Sequence, residues 1–245
     1  RGMQGAWSSC SSTTPRPCTG FQPDPRPRRR TAPSEVHMPT TGRIPTDVVL
    51  LRCHGPFPIP DPLRNEVAIL PCREEVGGRI VRHAFSQASQ VAYAYLQLAH
   101  RTALSRHCLI ELAREAGRVW PGTQVAASRL TLMHDLAGAS ADSPARFHYT
   151  VEMKPEPGWG LELQRWYDGE HLPALAAVPG CVRAQRFWNN DDEQESLACY
   201  DLVSDRTTAS AEWLAVRETT WSDRVRPHFI KPVRTMFTLS GFCMS

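Results

Sequence analysis

Hydrophobic and polar residues alternate most cleanly in the last hundred positions. Phe147, Tyr149, Val151 and Met153 alternate with His148, Thr150 and Glu152, a period of two that predicts a strand with one buried face. Pro155 and Pro157-Gly158 stop it. A helix is expected over about 159–178, with Leu163, Trp166 and Tyr167 inward. Pro173 must kink that helix, because it has no amide proton for the ladder. Past the Pro179-Gly180 turn, residues 182–188 and 196–203 read as two strands. The acidic loop Asn189-Asn190-Asp191-Asp192 joins them as a hairpin. A second helical region over about 209–229 carries Trp213, Val216, Trp221 and Val225. A last alternating strand covers 233–239. The predicted order is βαββαβ.

Upstream, the pattern changes. Phe85, Ala88, Ala92, Tyr95, Leu96, Ala99 and Ala103 recur at steps of mostly three and four, which predicts a helix within an ill-defined segment, 63–132. A second helix is expected over 105–119, with Leu109, Leu112, Ala113 and Ala116 inward. Arg101, Arg106, Arg114 and Arg118 would suit a helix-turn-helix reader, but no turn glycine separates two short helices, so nucleic-acid binding is not favoured. Residues 1–62 are low in complexity and rich in proline and arginine, and are expected to form a disordered basic tail.

Charge sharpens this division. Residues 1–132 hold seventeen arginines, no lysine and nine acidic residues, for about +8, while 133–245 carry about −5. Arginine without lysine also suits an upstream extension of a reading frame in GC-rich DNA. That leads to the expectation that the biological chain begins near Met133. The eight cysteines lack C-x-x-C spacing, so free or structural thiols are expected and no metal site. No apolar run reaches the roughly 18 residues of a membrane span, and no signal peptide is visible, which points to a cytoplasmic protein.

The βαββαβ order is that of a ferredoxin-like α+β domain. Helices cover one face of its sheet, and the other face needs a partner. The expectation is a homodimer through the sheet face, closing a barrel. One segment is more specific. Trp166-Tyr167-Asp168-Gly169-Glu170-His171-Leu172-Pro173, followed by Val178-Pro179-Gly180, resembles the W-Y-x-x-E-H-x-P…x-P-G signature of EthD-like and related dimeric α+β barrel proteins. The stretch from Trp221 through Arg226-Pro227-His228-Phe229 resembles the tail such proteins carry before their last strand. The resemblance covers about 146–242. It implies a dimeric α+β barrel that binds small molecules, in a superfamily that includes cofactor-free monooxygenases, cyclases, isomerases and accessory proteins of catabolic pathways.

His171 is the preferred proton carrier, because imidazole titrates near neutrality and the signature includes it. Glu170 could orient it, although adjacent helical residues point about 100° apart. Tyr200 could donate into a pocket. Trp166 and Tyr167 would line such a pocket and suit a flat aromatic ligand, with Arg186 and Trp188 on one strand face as anchors. No phosphate loop, nucleotide fingerprint or Ser-His-Asp constellation is visible, so no cofactor is called for. Two functions remain open: a cofactor-independent enzyme acting on a hydrophobic or aromatic compound, and a non-catalytic binding or accessory protein. A ligand sensor with an N-terminal DNA-binding segment is a third, weaker reading.

Overall fold

The computed structural model describes residues 42–55 and 77–239, and in them two four-stranded halves close one barrel. The first half contributes β1 (Ile44–His54), β2 (Gly78–Ser86), β3 (Val91–Leu104), helix α1 (Arg106–Val119) and β4 (Gln124–Ala137). The second contributes β5 (Phe147–Pro155), a helical run, β6 (Cys181–Asn189), β7 (Ser196–Leu202), helices α4 (Ala211–Val216) and α5 (Thr220–Val225), and β8 (Phe229–Leu239). The helical run after β5 is α2 (Gly160–Trp166), a π-helical turn (Tyr167–His171) and α3 (Leu172–Ala176). Around the barrel the strands follow the order β1-β3-β2-β8-β5-β7-β6-β4, with β4 pairing back to β1.

Two seams join the halves. β4 and β6 pair along their length, from Leu130↔Asn189 to Ala137↔Arg183. β2 and β8 meet at Ala84↔Leu239 and Phe85↔Thr238. Past β4 the chain passes close to β6: a Cβ on Gly138 would stand 2.1 Å from the Cys181 carbonyl oxygen, so only glycine fits there.

The βαββαβ unit expected within 146–242 is present as one half of the barrel, with strands at the expected places. The expected second helix is shorter than predicted, split into α4 and α5 with 3₁₀ turns on either side. Upstream, the expectations need correction. The helical pattern read from Phe85 to Ala103 belongs to the β2–β3 hairpin. Both faces of β3 are buried: Ala92, Ala94, Leu96 and Leu98 pack toward α1, while Val91, Tyr93 and Tyr95 face the barrel interior. A strand buried on both sides loses its polar alternation and imitates a buried helix. Helix α1 forms as expected, capped by the Ser105 side chain, which accepts from the Cys108 amide at 3.3 Å. It is one helix between two strands, so no helix-turn-helix is built here. The tail expected over 1–62 contains β1, whose Val48-Val49-Leu50-Leu51 core is at most 6% exposed. The remainder of that tail, 1–41 and 56–62, lies outside the described residues, as does 63–76.

The sheet face expected to meet a second copy is covered by β1–β4 of the same chain. Closure therefore takes place within one chain. Met133 falls inside β4, and a chain begun there would lack the strands that close the barrel.

Polar groups cross the interior between the halves. Arg82 on β2 donates to Asp201 on β7 at 2.5 Å and to Gln185 on β6 at 2.9 Å. Arg52 on β1 pairs with Glu152 on β5 and with Asp192. Tyr93 donates to Glu152 at 2.6 Å and accepts from Arg52 Nε at 2.9 Å. Burial raises the Asp201 carboxyl, but Arg82 and His148 outweigh it and hold the group at about 2. Breaking such a pair leaves one buried charge uncompensated. Arg82→Met alone is expected to cost about 3–5 kcal/mol in urea unfolding. Combined with Asp201→Leu, it should cost less than the two single changes added, by roughly 1–3 kcal/mol. Strict additivity would contradict a direct pair.

Candidate functional site

Pro173 shapes the local backbone. It has no N–H to continue the ladder, and the Leu172 amide reaches back five residues to the Tyr167 carbonyl, closing a π turn over Tyr167–His171. Such turns are costly and recur at functional sites, because they re-aim side chains. Here the turn buries Tyr167 and His171 together against the outer face of the second half's sheet.

His171 is 8% exposed and stacks on Trp166, with ring centroids 4.0 Å apart. Tyr167 meets it edge-on at 5.5 Å, and the Arg186 guanidinium lies 4.6 Å over the Tyr167 ring. Tyr200 and Trp213 pack edge to face at 5.1 Å in the same apolar cluster, with Leu163, Leu172, Leu175 and Val225. Three buried polar atoms of this cluster have no hydrogen-bond partner: His171 Nδ1, Trp166 Nε1 and Arg186 Nε. Buried polar atoms are nearly always satisfied, so each such exception calls for an explanation.

Electrostatics keep His171 neutral. Burial, then Arg226 and Arg217, push its pKa down to about 3. Burial pushes the Tyr167 phenol up to about 12 and lowers Arg186. The site is thus a neutral imidazole whose buried Nδ1 has no hydrogen-bond partner, packed among aromatic rings.

Of the residues singled out from sequence, His171, Trp166, Tyr167, Tyr200 and Arg186 come together. Glu170 does not join them. Its carboxylate accepts from Thr219 Oγ1 at 2.6 Å and lines an open groove of about 700 Å³ with Glu218, Trp221 and Arg224. The 100° step between neighbours carries it to the other side of the helix, so it does not orient the imidazole. Trp188 is half-buried at the far end of β6, one seam residue from Asn189.

A second constellation was not anticipated. His148, whose sheet face alternation left undecided, points into the barrel and is fully buried. Its Nδ1–H donates to Asp201 at 2.7 Å, and its Nε2 accepts from the Tyr95 hydroxyl at 3.0 Å. Burial and then Arg82 lower the imidazole to about 4, against the pull of Asp201. Tyr95 lines a cavity of about 220 Å³ at the barrel mouth, with Arg82, Gln185, His100, Asp135 and Arg183. Here the donors and acceptors of the relay satisfy one another, unlike those around His171. The signal that could have exposed it was Tyr93 and Tyr95 alternating with alanines, once 91–98 was read as a strand.

Among the described residues no group of three or more His, Cys, Asp or Glu is placed to hold a metal ion, and no helix is long and apolar enough to cross a membrane. Cys53, Cys181 and Cys199 are free thiols, while Cys10, Cys18, Cys72 and Cys243 lie outside the described residues.

Comparison with known proteins bears on this architecture. No protein-family profile and no curated protein sequence matches the chain. Among solved structures, a monooxygenase candidate from Fusobacterium nucleatum subsp. nucleatum superposes with a TM-score of 0.50 at 8% identity, covering 80% of this chain and 93% of its own. The fold is the dimeric α+β barrel, here closed within one chain. That coverage exceeds either half alone, so a single chain of the relative spans both. A monooxygenase candidate from Lactobacillus acidophilus (TM-score 0.48, 11% identity, 79% and 93% covered) and an anthrone oxidase-like protein (0.48, 14%, 82% and 96%) are similar at lower scores.

Two neutral buried histidines give the barrel a pH signature. Each has a folded pKa below the unfolded value of 6.5, so the unfolded chain takes up the proton first. Stability should be flat above pH 6.5, fall as pH drops toward about 4, and lose the His148 contribution to the slope below that. Urea midpoints measured across this window should show a slope approaching about two protons, reduced to about one in His171→Gln. Nitrogen-15 spectra showing His171 protonated at pH 5.5 would contradict the assignment.

Proposed function

We propose that this chain binds a hydrophobic, aromatic small molecule under α2 and α3 and performs acid–base chemistry on it, with His171 as the proton carrier. The observation that carries this reading is the trio of unsatisfied buried atoms, His171 Nδ1, Trp166 Nε1 and Arg186 Nε, within one aromatic cluster. A flat ligand with an acceptor oxygen could satisfy the indole and guanidinium donors, while its acidic proton passes to Nδ1. Trp166 and Tyr167 would orient the ring, and Tyr200 would close the apolar floor. Isomerisation and cyclisation need only that proton transfer. Monooxygenation would further need dioxygen as co-reactant. The EthD-type signature of the second half supports the same placement, because it contains both Trp166 and His171.

A second reading places the ligand in the barrel mouth against Tyr95, and the 220 Å³ cavity there favours it. A third keeps the ligand at the His171 cluster but makes the chain a non-catalytic holder or accessory protein. Hydrogen–deuterium exchange of 2-tetralone, an aromatic ketone with acidic C–H bonds, separates all three. The wild type should accelerate exchange, and His171→Ala should lower that acceleration by about 10²-fold or more while the ligand-induced thermal shift persists. Tyr95→Phe should leave exchange unchanged. Loss of exchange in Tyr95→Phe alone would move the site to the barrel mouth, and binding without any exchange would favour the holder.

A further inference from the structure

Three arginines near the His171 cluster are joined to no carboxylate by an ion pair. Arg217 follows α4, Arg226 follows α5, and Arg234 lies on β8, where it pairs in register with Val151 beside Tyr149↔Met236. Met236 and Tyr149 pack on the same cluster as His171's neighbours, which puts Arg234 on the outer, helix-covered side of the sheet. Arg226 Nη1 donates to the Arg217 carbonyl at 3.1 Å, tying the two loops together. Trp213, one turn before Arg217, meets Tyr149 edge-on at 6.1 Å. Among the described residues, Arg217, Arg226 and Arg234 form no ion pair.

We propose that the ligand is an aromatic carboxylate, its anionic group held by Arg217, Arg226 and Arg234 and its ring directed toward Trp166 and His171. This rests on the His171 cluster as the proposed ligand site. The arrangement is self-opposing when empty. Burial lowers Arg226, and Arg217 and Arg234 lower it further, with Asp223 giving partial relief. The same three charges act on the Tyr149 phenol, and Arg226 and Arg217 act on His171. Like charges gathered at a half-buried site without a counterion are costly, and a carboxylate removes that cost while accepting charge-assisted hydrogen bonds. A planar carboxylate also matches the fork geometry of guanidinium. Its arrival has a second consequence: it offsets the cationic field that helps keep His171 neutral, so the bound ligand makes the imidazole a stronger base than in the empty site.

The test is calorimetric binding of 2-naphthoate and of its neutral isostere 2-naphthamide to the full chain. The expected result is a preference for the carboxylate of about tenfold or more. Arg226→Gln should weaken 2-naphthoate by about tenfold and leave 2-naphthamide unchanged. Because Arg226 also holds the Arg217 carbonyl, the exposed Arg234→Gln serves as the second variant and should weaken 2-naphthoate selectively as well. Equal binding of the two ligands, or a preference that survives both variants, would overturn the anion assignment and leave the aromatic pocket standing. Binding of neither ligand would remove the pocket reading together with this one.

Discussion

The barrel depends on buried arginine–carboxylate pairs that span its two halves. Inside it, the cations Arg52 and Arg82 come from the first half, and the carboxylates Glu152 and Asp201 come from the second. Across the β4–β6 seam, Arg129 and Asp191 repeat the pattern, while Asp135 and Arg183 at the mouth run the other way. Taking such groups out of water is expensive, and the mutual attraction repays it only with good geometry and further hydrogen bonds. Gln185, Tyr93, Tyr95 and His148 supply those bonds. The arrangement also selects partners. Two first halves face to face would set arginine against arginine, and two second halves would set carboxylate against carboxylate. A unit of this type would normally close by pairing with a copy of itself. Here the polarity of the interior favours the other half of the same chain.

This division of labour assigns the two faces of the second sheet different tasks. The inner face is committed to holding the halves together, with His148, Glu152, Gln185 and Asp201 hydrogen-bonded to groups of the first half or to one another. The outer face carries the helices, and there Pro173 forces a π turn that buries His171 with one nitrogen open. Under the proposed function, packing and ligand binding fall on opposite sides of a sheet whose strands serve both. His148 and Tyr149, adjacent on β5, show the separation at its sharpest: the first closes the interior relay, and the second faces Arg217, Arg226 and Arg234.

The second half was legible because its strands have one face on apolar packing and polar residues at regular intervals. The Pro173 break and the aromatic motif around His171 were legible for the same local reason, since proline chemistry and helical spacing act within a few residues. The first half was hidden by burial on both sides. Residues 91–98 carry no polar residue but Gln97, and residues 48–51 carry none, so neither shows the alternation of apolar with polar residues that marks a half-buried strand. The charge asymmetry was visible in the sequence as +8 against −5, but its meaning was not. It lies in long-range pairs such as Arg82–Asp201, separated by 119 residues, which no local pattern can report. Glu170 was misplaced by adjacency: sequence puts it next to His171, and the helix turns it toward Thr219.

The central claim is that a ligand sits on the outer face of the second sheet, against the open nitrogen of His171, while the barrel interior remains a structural joint. A crystal structure of the full chain soaked with 2-naphthoate tests it most directly. The account predicts density beneath α2 and α3, with the ring against Trp166 and His171 and the carboxylate toward Arg226. Density in the barrel mouth against Tyr95 and Arg82, with the His171 cluster closed and empty, would contradict it.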